Sequence, residues 1–283
     1  MLAAFYEQTG PARDVLQVGE VPTPEPAAGE VRVRLATSGV NPSDVKSRAG
    51  VRSKALAFPR IVPHSDGAGV IDAVGNGVAA TRIGEPVWTW NAAWQRAFGT
   101  AAQYVTLPSE QAVVLPANTS FEVGACLGIP ALTALHAVRM DGGVAGRSVL
   151  VAGAAGAVGH YAVQMARLLG ARRVIATVSN AQKAALAREA GADLALNYRR
   201  DDVIARVREE TAGAGVDRVI EVDFAANVTT DLAIVKPEGD IVVYGSGKPE
   251  IPVPFFPAIV KNVRVRFFIV YNLTPADRAD AIG

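Results

Sequence analysis

The 283-residue chain holds one cysteine, three histidines and 6% aromatic residues. A single cysteine, Cys126, excludes an internal disulfide framework and any multi-cysteine zinc lobe. No uninterrupted run approaches the ~18 apolar residues of a membrane span. The start, Met1-Leu2-Ala3-Ala4-Phe5-Tyr6-Glu7, has no basic region followed by a long apolar stretch. Formal net charge is +1 and no basic run occurs, so nothing signals attraction to nucleic acid or an anionic membrane. These absences make a soluble cytoplasmic protein the expectation. A composition of 50% hydrophobic and 19% charged residues is that of a globular chain, and the length accommodates two cores.

The most informative absence is local: no acidic residue occurs between Asp141 and Glu189. Inside that stretch lies a glycine-spaced turn at the end of a strand-like run, Val149-Leu150-Val151-Ala152-Gly153-Ala154-Ala155-Gly156-Ala157-Val158-Gly159. A helix-like segment and a second apolar run, Arg173 to Val178, follow it. Strand, turn, helix, strand is the context that makes a glycine pattern a dinucleotide site. Gly153 can take the tight turn, Gly156 lets backbone approach a pyrophosphate, and Gly159 lets the helix pack on the strand. An NAD site places Asp or Glu at the end of the second strand to bond the ribose 2′-hydroxyl. Here that position reads Thr177-Val178-Ser179-Asn180, with Lys183 beyond. Hydroxyls and an ammonium suit a 2′-phosphate, which makes NADPH the expected cofactor.

The first ~120 residues alternate with period 2 between turn signals, as in Val31-Arg32-Val33-Arg34-Leu35, Gly69–Gly75 and Glu85–Trp90, and predict a mostly β domain. Pro22, Pro24 and Pro26 read as an extended connector. After about Phe121, helix-period segments (Val158–Leu169, Ala181–Ala190, Asp202–Thr211) alternate with apolar strands (Val149–Ala152, Val174–Val178, Val216–Val222, Asp240–Tyr244, Val263–Val270). That alternation predicts an α/β, doubly wound parallel sheet. Ser179 or Asn180 is a candidate cap, Gly170 and Gly191 are helix terminators, and Thr274 with Pro275 opens a last helix.

Four segments carry a resemblance: Ser38-Gly39-Val40-Asn41-Pro42-Ser43-Asp44, Pro63-His64-Ser65-Asp66-Gly67-Ala68-Gly69-Val70, Gly128-Ile129-Pro130-Ala131-Leu132-Thr133-Ala134, and Ala155-Gly156-Ala157-Val158-Gly159. With them the chain resembles the medium-chain dehydrogenase/reductase superfamily, within it the zinc-independent, zeta-crystallin-like quinone oxidoreductase branch. The resemblance implies a GroES-like β-rich catalytic domain over residues 1–122 and a Rossmann NADPH-binding domain over 123–271. Residues 272–283 would begin a shortened C-terminal segment, since the family pattern continues for several dozen residues. The positions of the zinc ligands in related alcohol dehydrogenases fall on Asn41, Ser65 and Ile129, an amide, a hydroxyl and an alkyl group. They cannot build a tetrahedral nitrogen/sulfur site, so no metal is expected. His64 reads as a backbone-bonding or turn-capping residue and Cys126 as a small buried hydrophobe.

Without a Lewis acid, the chemistry left is hydride transfer to an acceptor that is already electron-poor, a quinone or an α,β-unsaturated carbonyl such as an enone or enal. The resemblance assigns Asn41 and Asp44 to the active cleft, with capping of the turn at Pro42 as the open alternative for both. Lys46 stands where many quinone-reducing relatives carry tyrosine and enone-reducing relatives can carry lysine; a plain surface lysine is its alternative. Family contacts to the cofactor fall on Ala155, Gly156, Ala157 and Val158 at the pyrophosphate and on Ser179 and Lys183 at the 2′-phosphate. Tyr198 falls on the adenosine side, and Thr133, Asn227, Gly245, Ser246 and Val270 on the nicotinamide half. Arg199 and Arg200 read as solvated. Trp88 reads as core and Trp94 as the better candidate for a wall facing planar acceptors. The run Val263–Tyr271 is expected to be an edge strand, which in resembling enzymes pairs with its two-fold mate in a homodimer. A rival reading from a different class is a dinucleotide-binding structural or regulatory protein with little turnover.

Overall fold

Val31 and Val33 are fully buried while their neighbours Arg32 and Arg34 turn to the other face, and this pleated alternation builds the first of two units. The computed structural model describes residues 1–51 and 53–283, which divide into Met1–Ile129 and Pro130–Gly283. The first unit holds strands β1 (Leu2–Phe5), β2 (Gln17–Glu20), β3 (Glu30–Gly39), β4 (Asp66–Val74), β5 (Pro86–Thr89), β6 (Tyr104–Pro108) and β7 (Ala112–Val114). Short helices α1 (Ala12–Val15), α2 (Pro42–Arg48) and α3 (Phe121–Gly124) complete it. Strands β3 to β7 form an antiparallel sheet in the order β6-β3-β4-β5-β7, and β1 pairs with β2. Its core is Val31, Val33, Ile71, Val87, Ala92, Val105, Leu107 and Ala112. Burial of each valine or larger side chain contributes roughly 1.5–3 kcal/mol relative to exposure.

The second unit opens with α4 (Leu132–Arg139) and then alternates β8 (Ser148–Val151), α5 (Ala157–Leu168), β9 (Arg173–Val178), α6 (Ala181–Glu189), β10 (Leu194–Asn197), α7 (Val203–Glu210), β11 (Val216–Glu221), α8 (Phe224–Ile234), β12 (Val235–Val243), α9 (Phe255–Ile259), β13 (Arg264–Phe267) and α10 (Pro275–Ile282). The six strands are parallel in the order β10-β9-β8-β11-β12-β13. This is a doubly wound sheet whose order reverses between β8 and β11, where such sheets open a ligand crevice at the carboxyl ends of the strands. Both faces are covered. One carries Ala162, Val163 and Ala166 of α5 with Ala134 and Val138 of α4, the other Val207 of α7 with Phe224 and Leu232 of α8. Gly170 and Gly191 end α5 and α6 in the left-handed region, at φ +80° and +110°. Thr274 caps α10 through a bond from the Asp277 N–H at 3.1 Å.

In the second unit α4, β10, α8 and α9 escape the sequence pattern. One expectation needs correcting: the last strand stops at Phe267 instead of running on to Val270. Its partner β12 ends at Val243, whose carbonyl accepts the Phe268 N–H at 3.1 Å, so no ladder remains to extend. Residues Val270–Asn272 form a 3₁₀ turn with Val270 and Tyr271 buried. The strand does lie at the sheet edge.

Charge ties this sheet together at its amino end. Arg218, Asp240 and Arg264 stand in register on β11, β12 and β13. The buried Asp240 carboxylate receives Arg218 at 3.1 Å, Arg147 at 3.1 Å and Arg264 at 2.7 Å. Arg218, itself fully buried, also donates to the Ala137 and Val138 carbonyls at the end of α4, at 3.3 and 3.1 Å. Removing one member of such a network leaves a desolvated charge behind. Asp240→Ala is therefore expected to lower unfolding stability by about 3–5 kcal/mol. Urea denaturation at neutral pH measures this, and a loss below ~1 kcal/mol, the worth of an exposed pair, would contradict the assignment.

Candidate functional site

The glycine turn takes a specific shape between β8 and α5. Gly153 has φ +63°, a conformation that a side chain disfavours, and its N–H reaches Thr177 Oγ1 at 3.3 Å while the Ala154 N–H bonds the Thr177 carbonyl at 3.1 Å. A β-carbon at Gly159 would overlap the Gly153 carbonyl oxygen and come within 2.9 Å of Ala154 Cα, so only glycine lets α5 sit this close to β8. Gly156 is the N-cap of α5 and brings no side chain to occupy the first-turn N–H groups, and that turn contains no acidic residue. Ala157, Val158 and Gly159 therefore begin a twelve-residue helix with unsatisfied donors and the positive end of its dipole, a ready anion site.

At the end of β9, Thr177 and Val178 are buried and Ser179 is partly exposed. Asn180 supplies the cap, its Oδ1 accepting the Lys183 N–H at 2.8 Å. This leaves the exposed Lys183 side chain on the first turn of α6, in no ion pair with any described residue. Tyr198 follows β10 and is 52% exposed, with the Arg199 guanidinium 5.9 Å from its ring centre. A cavity of about 490 Å³ is lined by two of the expected cofactor contacts, Tyr198 and Asn227, together with Gly153 of the turn; the other expected contacts do not line it. Ala155 to Val158 lie at the α5 N-terminus, and Thr133 is buried in the first turn of α4. Gly245 and Ser246 follow β12, where a β-carbon at Gly245 would overlap the Val222 carbonyl. Val270 is buried, its carbonyl accepting Arg278 Nη2 at 2.6 Å.

The same cavity is lined by Thr177, whose hydroxyl the sequence marked, and by acids it did not assign to the site: Asp201, Asp202, Glu221, Asp223 and Asp231. Glu221 and Asp231 are almost completely buried acids. An acid closing the apolar run Val216–Val222 is the signal that was there to find. Glu221 Oε1 accepts the Asp223 N–H and the Asn227 amide, the latter at 3.0 Å, and Asp223 Oδ1 accepts the Gly247 N–H at 2.7 Å.

In the first unit Asn41 is buried at the N-cap of α2. Its N–H donates to Asp44 Oδ2 at 2.8 Å, and its Nδ2 donates to Asp66 Oδ2 at 2.7 Å. Asp66 is wholly buried, with Gly39 and Gly128 at positions where any β-carbon would collide with it. Burial pushes its carboxyl well above the usual range, against the lowering effect of the Asn41 bond. Lys46 is exposed on α2, Ser65 and Ile129 are buried, Trp88 is buried in β5 and Trp94 is partly exposed. Two expectations fail here. Cys126 is exposed rather than a buried hydrophobe, because it lies just past the end of α3, outside the packed core. His64 bonds a side chain rather than backbone: it sits at φ +78° with Nδ1 2.9 Å from Ser38 Oγ, which also meets Thr100 Oγ1 at 2.9 Å. Among the described residues, no group of three or more His, Cys, Asp or Glu could hold a metal, and no helix is long and apolar enough to cross a membrane.

A parallel doubly wound sheet with this turn, in one chain with an antiparallel β unit, is a fold that NAD(P)-dependent oxidoreductases use. Residues 27–117 match the alcohol dehydrogenase GroES-like domain and residues 157–282 the zinc-binding dehydrogenase domain. Human quinone oxidoreductase is 32% identical over 243 residues, 85% of this chain and 71% of that protein. A solved NAD-dependent alcohol dehydrogenase superposes with TM-score 0.88 at 32% identity, covering 99% of this chain and 89% of that one. A mycobacterial protein complexed with NADPH gives 0.85 at 30%, covering 99% and 87%. The chain belongs to the medium-chain dehydrogenase/reductase superfamily and is quinone oxidoreductase-like.

Gly159→Ala should disturb both fold and site, since the added methyl must displace backbone. A loss of about 1–3 kcal/mol in urea is expected, together with weaker binding of nicotinamide dinucleotide in a fluorescence titration. Unchanged values on both counts would mean that α5 can retreat from β8 at no cost.

Proposed function

We propose that the protein is an NADPH-dependent, zinc-independent reductase of quinones or of α,β-unsaturated carbonyls. The observation that carries the cofactor preference is the end of β9, which presents Ser179 and the unpaired Lys183 ammonium and no carboxylate. A 2′-phosphate would meet a hydroxyl and a cation there, with the pyrophosphate on the α5 N-terminus and Tyr198 beside the adenosine. When bound, the nicotinamide supplies the hydride. The chain's own residues then bind, orient and exclude water: Thr133, Asn227, Gly245, Ser246 and Val270 toward the nicotinamide, Asn41, Asp44 and Lys46 toward the acceptor. The Asp44 carboxylate is engaged in the α2 cap, so its part is to hold Asn41 in place. Zinc independence is supported by the donor set, since the amide of Asn41 is taken up by Asp66 and Ser65 and Ile129 offer no thiolate or imidazole. Likeness to quinone oxidoreductases supports a quinone acceptor, and Lys46 the enone arm.

NADH is the second reading, favoured by the carboxylates of Asp201, Asp202 and Asp223 around the cavity and by the NAD-dependent structural relative. Fluorescence titration decides between the two. NADPH is expected to bind at least about tenfold more tightly than NADH, a difference of about 1.4 kcal/mol, and Lys183→Ala should remove most of that preference. Equal affinities or an NADH preference would overturn it. Steady-state oxidation of the preferred cofactor with a panel of quinones and enones, with and without chelator, separates an enzyme from a binding protein with little turnover.

A homodimer is part of the same reading. Phe267 on the edge strand β13 is exposed, as are Phe255, Phe256, Ile259 and Val260 on and beside α9. An apolar edge of this kind invites pairing with a second copy and a continuous sheet across a two-fold axis. Light scattering after size exclusion should give twice the chain mass, and Phe267→Lys should shift it toward monomer. A monodisperse wild-type monomer at micromolar concentration would count against the pairing.

A further inference from the structure

We propose that Glu221 is the positioning residue for the nicotinamide-side loops of the dinucleotide site, and that it works through one proton shared with Asp231. The role rests on the dinucleotide reading given above. Glu221 closes β11 and Asp231 lies ten residues on, in α8; both side chains are almost completely buried and both line the 490 Å³ cavity. One oxygen of Glu221 is fully used, accepting the Asp223 N–H and the Asn227 amide. Glu221 Oε2 and Asp231 Oδ2 are buried and receive no hydrogen bond from any described residue, and the two carboxyl groups interact with each other. Two buried carboxylates without a cation would repel each other, whereas one proton held between them satisfies both orphaned oxygens.

The geometry then runs outward from Glu221. Directly, it fixes Asn227 on the first turn of α8. Through the Asp223 N–H it fixes the turn after β11, and Asp223 in its turn holds the Gly247 N–H, which anchors the Gly245–Gly247 loop after β12. Two loops from neighbouring strands are thus oriented by one buried carboxyl. A fully ionised pair would push α8 away from β11 and release both.

The groups facing the pair make it sensitive to alkali. Burial and then the Glu221 charge push Asp231 up to about 9, and burial likewise raises Glu221. Asp223 follows β11, Tyr244 follows β12 and is raised by burial and by Glu221, and Tyr198, Asp201 and Asp202 line the cavity from the β10–α7 side. The Lys261 ammonium is engaged with the Leu232, Ala233 and Val235 carbonyls at the far end of α8. For the sign: the folded value of Asp231 stands above its ordinary 3.8. The pair's contribution to the fold is therefore complete below about 3.8, declines above it and is lost as pH rises through about 9.

The experiment titrates NADPH and NADH into the wild-type chain, Asp231→Asn, Glu221→Gln and Glu221→Met from pH 7 to 10, with thermal unfolding followed in parallel to establish that each protein is folded. In wild type, the dissociation constant of the better-bound nucleotide should rise about tenfold or more between pH 8 and 10. In Asp231→Asn, whose amide donates to Glu221 without a titrating proton, the rise should stay within about twofold. Glu221→Gln keeps an acceptor for Asn227 and Asp223 and donates to an ionised Asp231, so its profile should also be flat. Glu221→Met, lacking the acceptor, should bind weakly at every pH; should it fail to fold, the Asp231→Asn profile decides alone. A folded wild type with a flat profile, or an alkaline loss that survives in Asp231→Asn, overturns the positioning role. Folded wild type that binds neither nucleotide at any pH overturns the dinucleotide reading itself and this role with it.

Discussion

The absence of a side chain at Gly159 lets α5 lie against the end of β8, and the candidate dinucleotide site is built outward from that close approach. Any β-carbon there would occupy the space of the Gly153 carbonyl. With the helix so placed, Gly153 must turn with positive φ, and Gly156 becomes an N-cap with no side chain. The first-turn N–H groups then face outward at the carboxyl end of the sheet. The neighbouring strand is locked to the same turn through both the hydroxyl and the carbonyl of Thr177, which carries Ser179, Asn180 and Lys183 into position beside it. A steric fact at one residue thus propagates into an electrostatic one across two strands.

Buried acids organise what the glycine turn does not. Asp66 in the first unit and Glu221 with Asp231 in the second are all almost fully enclosed, and burial raises each of them. Each holds an amide: Asp66 binds Asn41 and Glu221 binds Asn227. Such carboxyls cost stability when left unpaired, so an enclosed acid that orients an amide in a candidate site is better explained by placement than by packing. Asp240 is the contrasting case. Surrounded by three arginines at the opposite end of the strands, it has a wholly structural task, keeping β11, β12 and β13 in register.

The absence of a thiolate or imidazole at Asn41, Ser65 and Ile129 shapes the chemistry proposed for the first unit. On that proposal an acceptor reduced there would have to be electrophilic in its own right, as quinones and conjugated carbonyls are. Asp66 sits between Gly39 and Gly128, so three of the four motif segments that carry the family likeness meet at one carboxyl. Their spacing in the chain is far apart; their purpose is common.

Much of the fold was legible in consecutive residues. Period-2 alternation marks β3 to β5, helical period marks α5 to α7, and glycine spacing marks the turn, because backbone conformation and side-chain direction are local properties. The missing acidic residue after β9 was legible for the same reason. Short or mixed elements escaped: β10 has four residues, and α8 carries β-branched residues and the inward-facing Asp231, which breaks the apolar stripe. The partners of buried polar groups were decided by tertiary structure alone. Arg218 with Asp240, Glu221 with Asp231, Asn41 with Asp66 and His64 with Ser38 are joined across ten to about twenty-six residues of chain. A sequence states that a polar side chain exists; only the packed strands and helices exclude water from it and so determine which neighbour must satisfy it.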